Sequence, residues 1–294
     1  MMPYAAPAII ETTLHASMPD ALRRPVVTEW SRANKRGAPV DCFLEGPCLD
    51  RDGNLYVTDI PHGRIFRIGT NGDWITLADY DGEPNGLALH PDGDRFYIAD
   101  YKQGILSLPL SGGVPEPVLS RRNSERFKGP NDLVFARNGD LYFTDQGQSG
   151  LHDPTGRVYR LAPDGRLDCL LSNGPSPNGL ALSPEEDVLF VAMTRDNAVW
   201  RLPLLPDGST AKVGRFASFH GTSGPDGMAV DAAGRLLVAH ASLGCVFVLS
   251  EQGEVMARLQ SCRGHTVTNL LVDSGRALIT ESATGSVLEA VWPR

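Results

Sequence analysis

The feature that most limits what this chain can fold into is a phrase that recurs six times. Each copy has a proline or its equivalent, a polar residue, a short apolar strand, a glycine-type turn and a second apolar strand. The copies are EGPCLDRDGNLYVTD at 45–59, PNGLALHPDGDRFYIAD at 84–100 and PNDLVFARNGDLYFTD at 130–145. The other three are PNGLALSPEEDVLFVAM at 177–193, PDGMAVDAAGRLLVAH at 225–240 and VTNLLVDSGRALITES at 267–282. The polar residue sets the phase: Glu45, Asn85, Asn131, Asn178, Asp226 and, more loosely, Thr268, spaced 40–48 residues apart. A period of about 40–50 residues with several short strands per unit is the signature of propeller blades.

Each repeat has room for four strands. Leu55-Tyr56-Val57-Thr58 and Ile65-Phe66-Arg67-Ile68 have the pattern of half-buried strands. The glycine and proline content, 31 and 22 of 294 residues, favours many tight turns over long helices. A two-sheet sandwich would not impose this self-similarity. The expected fold is therefore all-β: a six-bladed β-propeller with four-stranded antiparallel blades. The last copy leaves room for only three strands, at 269–273, 277–281 and 286–291. Its fourth is expected from the N-terminus, which would remove exposed sheet edges; Pro25 to Trp30 is the stretch assigned to it. The expected domain plan is an N-terminal extension, 1–24, packing on a single propeller, 25–294.

Charge and cysteine usage narrow the function. The net charge is −8, whereas binding nucleic acid needs a surplus of Lys and Arg on one face. Cys42, Cys48, Cys169, Cys245 and Cys262 are odd in number and contain no CxxC pair, which excludes a zinc ribbon and fits free thiols in a reducing cytosol. The N-terminal MMPYAAPAIIETT lacks the cationic start of a signal peptide, and no apolar stretch reaches membrane-spanning length. The expectation is a soluble, cytoplasmic protein with a small-molecule partner, no nucleic acid and no membrane. Oligomeric state leaves no signature.

In a propeller the innermost strand of each blade lines the central channel, so residues at one repeat phase form a ring at one depth. Here the ring reads Glu, Asn, Asn, Asn, Asp, Thr. It offers oxygen ligands and no thiolate or imidazole, which suits a hard divalent cation such as calcium, magnesium or manganese. P-N-G and P-D-G are also ordinary turn tripeptides. PDG occurs at 91–93, 163–165 and 206–208 as well, all at other phases. The hairpins joining second to third strands should frame the mouth on the marker side. The third, Gln146 to Thr155, is the longest and carries Gln146, Gln148, His152 and Asp153; it reads either as a lid or as an inert insertion. The basic run Arg121, Arg122, Arg126 and Lys128 leads into Asn131 and reads either as a solvated loop or as a source of substrate-binding arginines.

FLEGPCLDRDGNLYVTD, KGPNDLVFARNGDLYFTD, SPNGLALS and GPDGMAVD, in that order, make the chain resemble the SMP-30/gluconolactonase/LRE-like family over roughly residues 40–290. The resemblance implies a six-bladed propeller and a metal-dependent lactonase. It places the family's metal ligands on Glu45, Asn178 and Asp226. A further asparagine, ligand or substrate contact, falls on Asn131. An arginine that holds sugar hydroxyls falls loosely on Arg126 or Arg122. Asn85 and His152 are further candidate substrate contacts. One divalent ion is implied, calcium first, with magnesium, manganese, zinc or iron as alternatives. The expected chemistry opens a sugar-type lactone by attack of water on a metal-polarised carbonyl, with Asp226 as general base.

No GxSxG motif offers a serine nucleophile. The rival readings are a phosphotriester hydrolase using the same metal, a non-catalytic ligand- or protein-binding propeller, and a condensing enzyme of the strictosidine-synthase type. The last two would not need the full ligand ring.

Overall fold

The apolar runs of the repeated phrase are strands covered on both faces. Leu55–Asp59, Leu141–Asp145, Val188–Met193 and Leu236–His240 are buried along their whole length. Strands sandwiched between two layers lose the simple in–out alternation of a half-exposed sheet. In the computed structural model, which describes residues 6–292, each repeat is a four-stranded antiparallel blade. The first comprises Leu44–Leu49, Leu55–Asp59, Arg64–Ile68 and Trp74–Asp79, in that order from the axis outward. The other inner strands are Pro84–Leu89, Pro130–Phe135, Pro177–Leu182, Pro225–Val230 and Val267–Asp273. Each inner strand packs beside the next, and the sixth packs against the first, which closes a ring of six blades.

Apolar faces of neighbouring blades form the core. At the junction of the sixth and first blades, Leu278 and Val287 cluster with Leu44, Val57, Phe66 and Met18. Between the fifth and sixth, Leu237, Val246 and Leu259 meet Leu270, Ile279, Leu288 and Trp292. Burial of this kind stabilises by roughly 25 cal/mol per Å² of apolar surface.

Ring closure corrects one expectation. The fourth strand of the sixth blade does come from the N-terminus, but it is Thr13–Ser17, antiparallel to Ser286–Val291 with Leu14 opposite Leu288. Just before it, Ala8–Glu11 adds a parallel fifth strand to the fifth blade, beside Val255–Gln260. Pro25 to Trp30 closes nothing. Glu29–Asn34 is a short helix, begun by a capping box in which Ser31 N donates to Thr28 Oγ1 and Thr28 N donates to Ser31 Oγ. Those reciprocal bonds satisfy two backbone donors locally, so this stretch does not need a strand partner. Residues 1–5 of the expected extension and 293–294 of the expected propeller lie outside the described residues.

A β-bulge falls at the marker in every blade. Pairing of the first strand to the second shifts register between Glu45 and Cys48, Pro84 and Leu87, Pro130 and Leu133, Pro177 and Leu180, Pro225 and Met228, and Val267 and Asn269. A bulge leaves residues unpaired and re-aims their side chains. The repeated P-N-G and P-D-G triplets are thus bulges at the start of the inner strand.

Candidate metal centre and mouth

Side chains at the end of the second strand, and in the hairpin after it, tie most of the markers into the ring. The threonine of one blade reaches the next: Thr58 Oγ1 donates to the Asn85 carbonyl at 2.8 Å, and Thr144 Oγ1 to the Asn178 carbonyl at 2.7 Å. Thr194 does the same one residue early, to the Pro225 carbonyl at 2.8 Å, and Ser282 closes the circle on the Leu44 carbonyl. The carboxylate works within its own blade. Asp59, Asp100 and Asp145 accept from the backbone N–H of Phe43, Glu83 and Gly129, just ahead of the inner strand, and Glu281 accepts from Thr266. These bonds hold the ring of markers before any ligand arrives.

Glu45, Asn131 and Asn178 are buried, while Asp226 and Asn85 are half-buried. Glu45 Oε2 accepts from Gly46 N at 2.9 Å, and its carboxyl also hydrogen-bonds Thr268 and Asn269. Asn178 hydrogen-bonds Asp226. A third carboxyl joins them that the marker phase did not single out. Asp132, one residue past Asn131, is buried against the axis and bonded to Asn269. The residue after the marker is glycine in four copies but Asp132 in the third and Asn269 in the sixth, and that departure was the available signal. Both side chains fill space left by glycines of the preceding blades: a Cβ on Gly86 would strike Asp132, and one on Gly227 would strike Asn269.

Glu45, Asp132 and Asp226 come from the first, third and fifth blades. Burial raises the pKa of all three. The charge of Glu45 raises Asp132 further, to about 7, and Glu45 and Asp132 together push Asp226 well above the usual carboxylate range. Arg195 offsets part of the effect on Asp226 by charge, and it is exposed. Glu45 and Asp226, with the carboxamides of Asn131 and Asn178 at the same repeat phase, are oxygen donors of the kind a hard divalent cation takes, and Asp132 adds a third carboxyl near them.

The sign of the coupling gives a prediction. A carboxyl with a raised folded-state pKa keeps its proton in the folded chain at a pH where the unfolded chain has released it. Between the ordinary range near pH 4 and about pH 7 for Asp132, the chelated protein therefore loses stability as pH rises. A cation needs the ionised carboxylates, so its binding releases protons. Calcium should raise the melting temperature more at about pH 8 than at about pH 5.5. Scanning fluorimetry with and without chelator checks this, and an equal shift at both pH values would contradict it.

The long third hairpin reaches the marker ring. Asn131 Nδ2 donates to Gln146 Oε1 at 3.0 Å, and Gln146 Nε2 donates to Ser176 Oγ at 2.9 Å. With its amide nitrogen held, Asn131 keeps its Oδ1 available as an acceptor. Outside this ring lies a cavity of about 560 Å³ lined by Asn34, Gln146, Gln148, His152, Ser176 and Arg195. His152 is exposed on its wall. Arg122 is elsewhere, in a groove with Arg166 and Asp168 along the outer strand of the third blade. Arg126 is exposed on a two-residue ladder with Arg121 and does not line the mouth cavity. Cys48 faces a second cavity of about 610 Å³ at the other end of the channel, and burial pushes its thiol up to about 12, far from a thiolate.

Comparison with known proteins matches residues 43–282 to the SMP-30/Gluconolactonase/LRE-like region. The chain belongs to the SMP-30/gluconolactonase/LRE-like family. Its relatives in this family include the lactonase drp35 of Staphylococcus haemolyticus, 33% identical over 221 residues, covering 71% of this chain and 67% of the relative. The drp35 lactonase of Staphylococcus saprophyticus is 31% identical over 248 residues, covering 80% and 74%. Among solved structures, a gluconolactonase from Xanthomonas campestris superposes with a TM-score of 0.77 at 24% identity over 99% of both chains. A calcium-binding regucalcin from Agrobacterium tumefaciens gives 0.76 at 20% identity over 97% of this chain and 95% of its own. These two likenesses establish the fold. No helix among the described residues is long and apolar enough to cross a membrane.

Proposed function

We propose that this protein hydrolyses a lactone at the marker end of its channel, with one divalent cation held by Glu45, Asn178 and Asp226 and with Asn131 beside them. The observation that carries the reading is the oxygen-only ring in which Glu45 and Asp226 stand with Asn131 and Asn178, their carboxyls, with that of Asp132 beside them, held above the usual carboxylate range. The lactonase names of relatives above 30% identity support the same reaction. Calcium is the first choice of cation, in keeping with the oxygen donors and the regucalcin neighbour. A bound cation supplies Lewis-acid polarisation of the lactone carbonyl.

The protein's own groups do the rest. Asp226, oriented by Asn178, holds the attacking water and takes one of its protons as the oxygen joins the carbonyl carbon. When the ring C–O bond breaks, that proton passes to the departing ring oxygen, giving a hydroxy acid. Glu45 balances charge, fixed by Gly46 N, Thr268 and Asn269. Asn131, held by Gln146, presents an oxygen to cation or substrate. Asn85 and His152 are left as contacts for hydroxyl groups on the sugar.

The test is proton release in a pH-stat over sugar lactones, aliphatic lactones and a phosphotriester, on chelated protein with calcium, magnesium, manganese, zinc or iron added back. The expected result is lactone turnover that disappears on chelation and returns with metal. Turnover of the phosphotriester alone would replace this reading with the phosphotriesterase one. Stoichiometric metal binding without turnover would leave a binding propeller.

A further inference from the structure

The helix Glu29–Asn34 does not lie idle on the outside of the propeller. Glu29 is joined at 3.0 Å to Lys102, on the second blade's mouth hairpin. Trp30 packs on Phe43, ring centroids 4.7 Å apart, directly ahead of the first inner strand. At the helix's far end, Asn34 lines the mouth cavity together with the hairpins of the third and fourth blades. The segment therefore reaches over the mouth, and its final turn delivers Lys35. The Lys35 ammonium sits 4.7 Å from the Phe43 ring centre and 5.6 Å from that of Trp30, which limits where it can swing. It feels the charge of Asp226, on the fifth blade. Arg195, on the fourth blade's hairpin, lines the same cavity and acts on the same carboxyl.

Among the described residues neither Lys35 nor Arg195 has a carboxylate within ion-pair distance. Lys102 and Lys128 on this rim are engaged: Lys102 lies within 4.0 Å of Glu29, Asp81 and Glu83, and Lys128 bonds Thr155. Two uncommitted cations flank the entrance to a site in a chain of net charge −8. Cations placed before a ligand arrives select anionic oxygen groups.

We propose that Lys35 and Arg195 read a negatively charged substituent on the lactone, so that acidic lactones, bearing a carboxylate or phosphate beyond the ring, are the preferred substrates. This rests on the reading of the marker ring as a lactonase site. The rival role for both residues is to shield the carboxyl trio, which would act on every substrate alike.

The experiment compares gluconolactone with glucarolactone and phosphogluconolactone on the metal-loaded wild type, Lys35→Met and Arg195→Met. The wild type should favour at least one acidic lactone about tenfold in kcat/KM. Each variant should cut that preference about threefold to tenfold, chiefly through KM, and added salt should erode it. Preference for the carboxylate or for the phosphate identifies the source of the charge. No wild-type preference, or a loss shared equally by acidic and neutral lactones, overturns the proposal. Calorimetric binding of gluconate and glucarate runs alongside and needs no turnover. If no lactone is hydrolysed but glucarate binds more tightly in a Lys35-dependent way, the charge selection stands and the lactonase reading falls. Equal binding of the two acids sinks the charge selection.

Discussion

Asp226→Asn should lower lactone turnover about a thousandfold and yet raise the melting temperature of the chelated protein. The two effects share one cause. Asp226 lies in range of both Glu45 and Asp132, and burial denies all three the solvation an ionised carboxyl needs. An amide of nearly the same shape removes one member of that repulsion, so the metal-free fold gains stability. It also removes the proton acceptor and one negative ligand, so hydrolysis collapses and added calcium no longer raises the melting temperature as it does in wild type. A functional site that is strained without its ligand has this signature. Pairing pH-stat rates with fluorimetry in chelator decides it. A variant less stable than wild type without metal would show that the carboxyls are held comfortably and that the case for a cation is weak.

Gly179→Ala should destabilise the fold by about 1–3 kcal/mol, or roughly 2–10 °C in melting temperature, although it adds only one methyl group. The residue follows Asn178 at the bulge, where the inner strands of the fourth and fifth blades come closest. A Cβ there would collide with the Asp226 carbonyl and come within 2.6 Å of the Gly227 Cα. Both obstacles are backbone, so no side-chain rotamer relieves them. The strands must part, and Asn178 and Asp226, which hydrogen-bond each other across that junction, part with them. Metal affinity should therefore fall as well. The control is Gly165→Ala, in an outward turn where a Cβ would meet nothing within 4 Å; its cost comes only from a positive φ of 87°. If Gly179→Ala loses stability without losing metal affinity, the ring is more tolerant than this geometry allows.

The same glycine shows where sequence reading stops. The six copies and their phase were legible, because a repeat must return its inner strand to the axis at one depth. Glu45, Asn131, Asn178 and Asp226 therefore share one phase in the sequence alone. The reason for the glycine after the marker was not legible. It reads as turn chemistry, whereas in the fold it makes room for the next blade. Asp132 and Asn269 were hidden for the same reason: the bulge brings the residue past the marker to the axis too, and strand alternation gives no hint of it.

The chain ends and the loops were decided by tertiary structure. Thr13–Ser17 closes the ring because Ser286–Val291 offers it an open edge and an apolar partner in Leu288, a pairing between residues more than 250 positions apart. Local pattern could not choose it over Pro25–Trp30, since both are short and mixed in character. Arg122 was close to Asn131 in sequence, but its loop folds outward along the third blade, away from the mouth. Lys35 was distant from every marker and came to overlook Asp226 through the packing of Trp30 on Phe43 and the Glu29–Lys102 ion pair. The sequence by itself determined the period, and with it the propeller and the shared phase of the marker residues, because periodicity is a local property summed along the chain. Which side chains enter the marker ring from the bulges, and which cations guard its entrance, was decided only by contacts between distant segments.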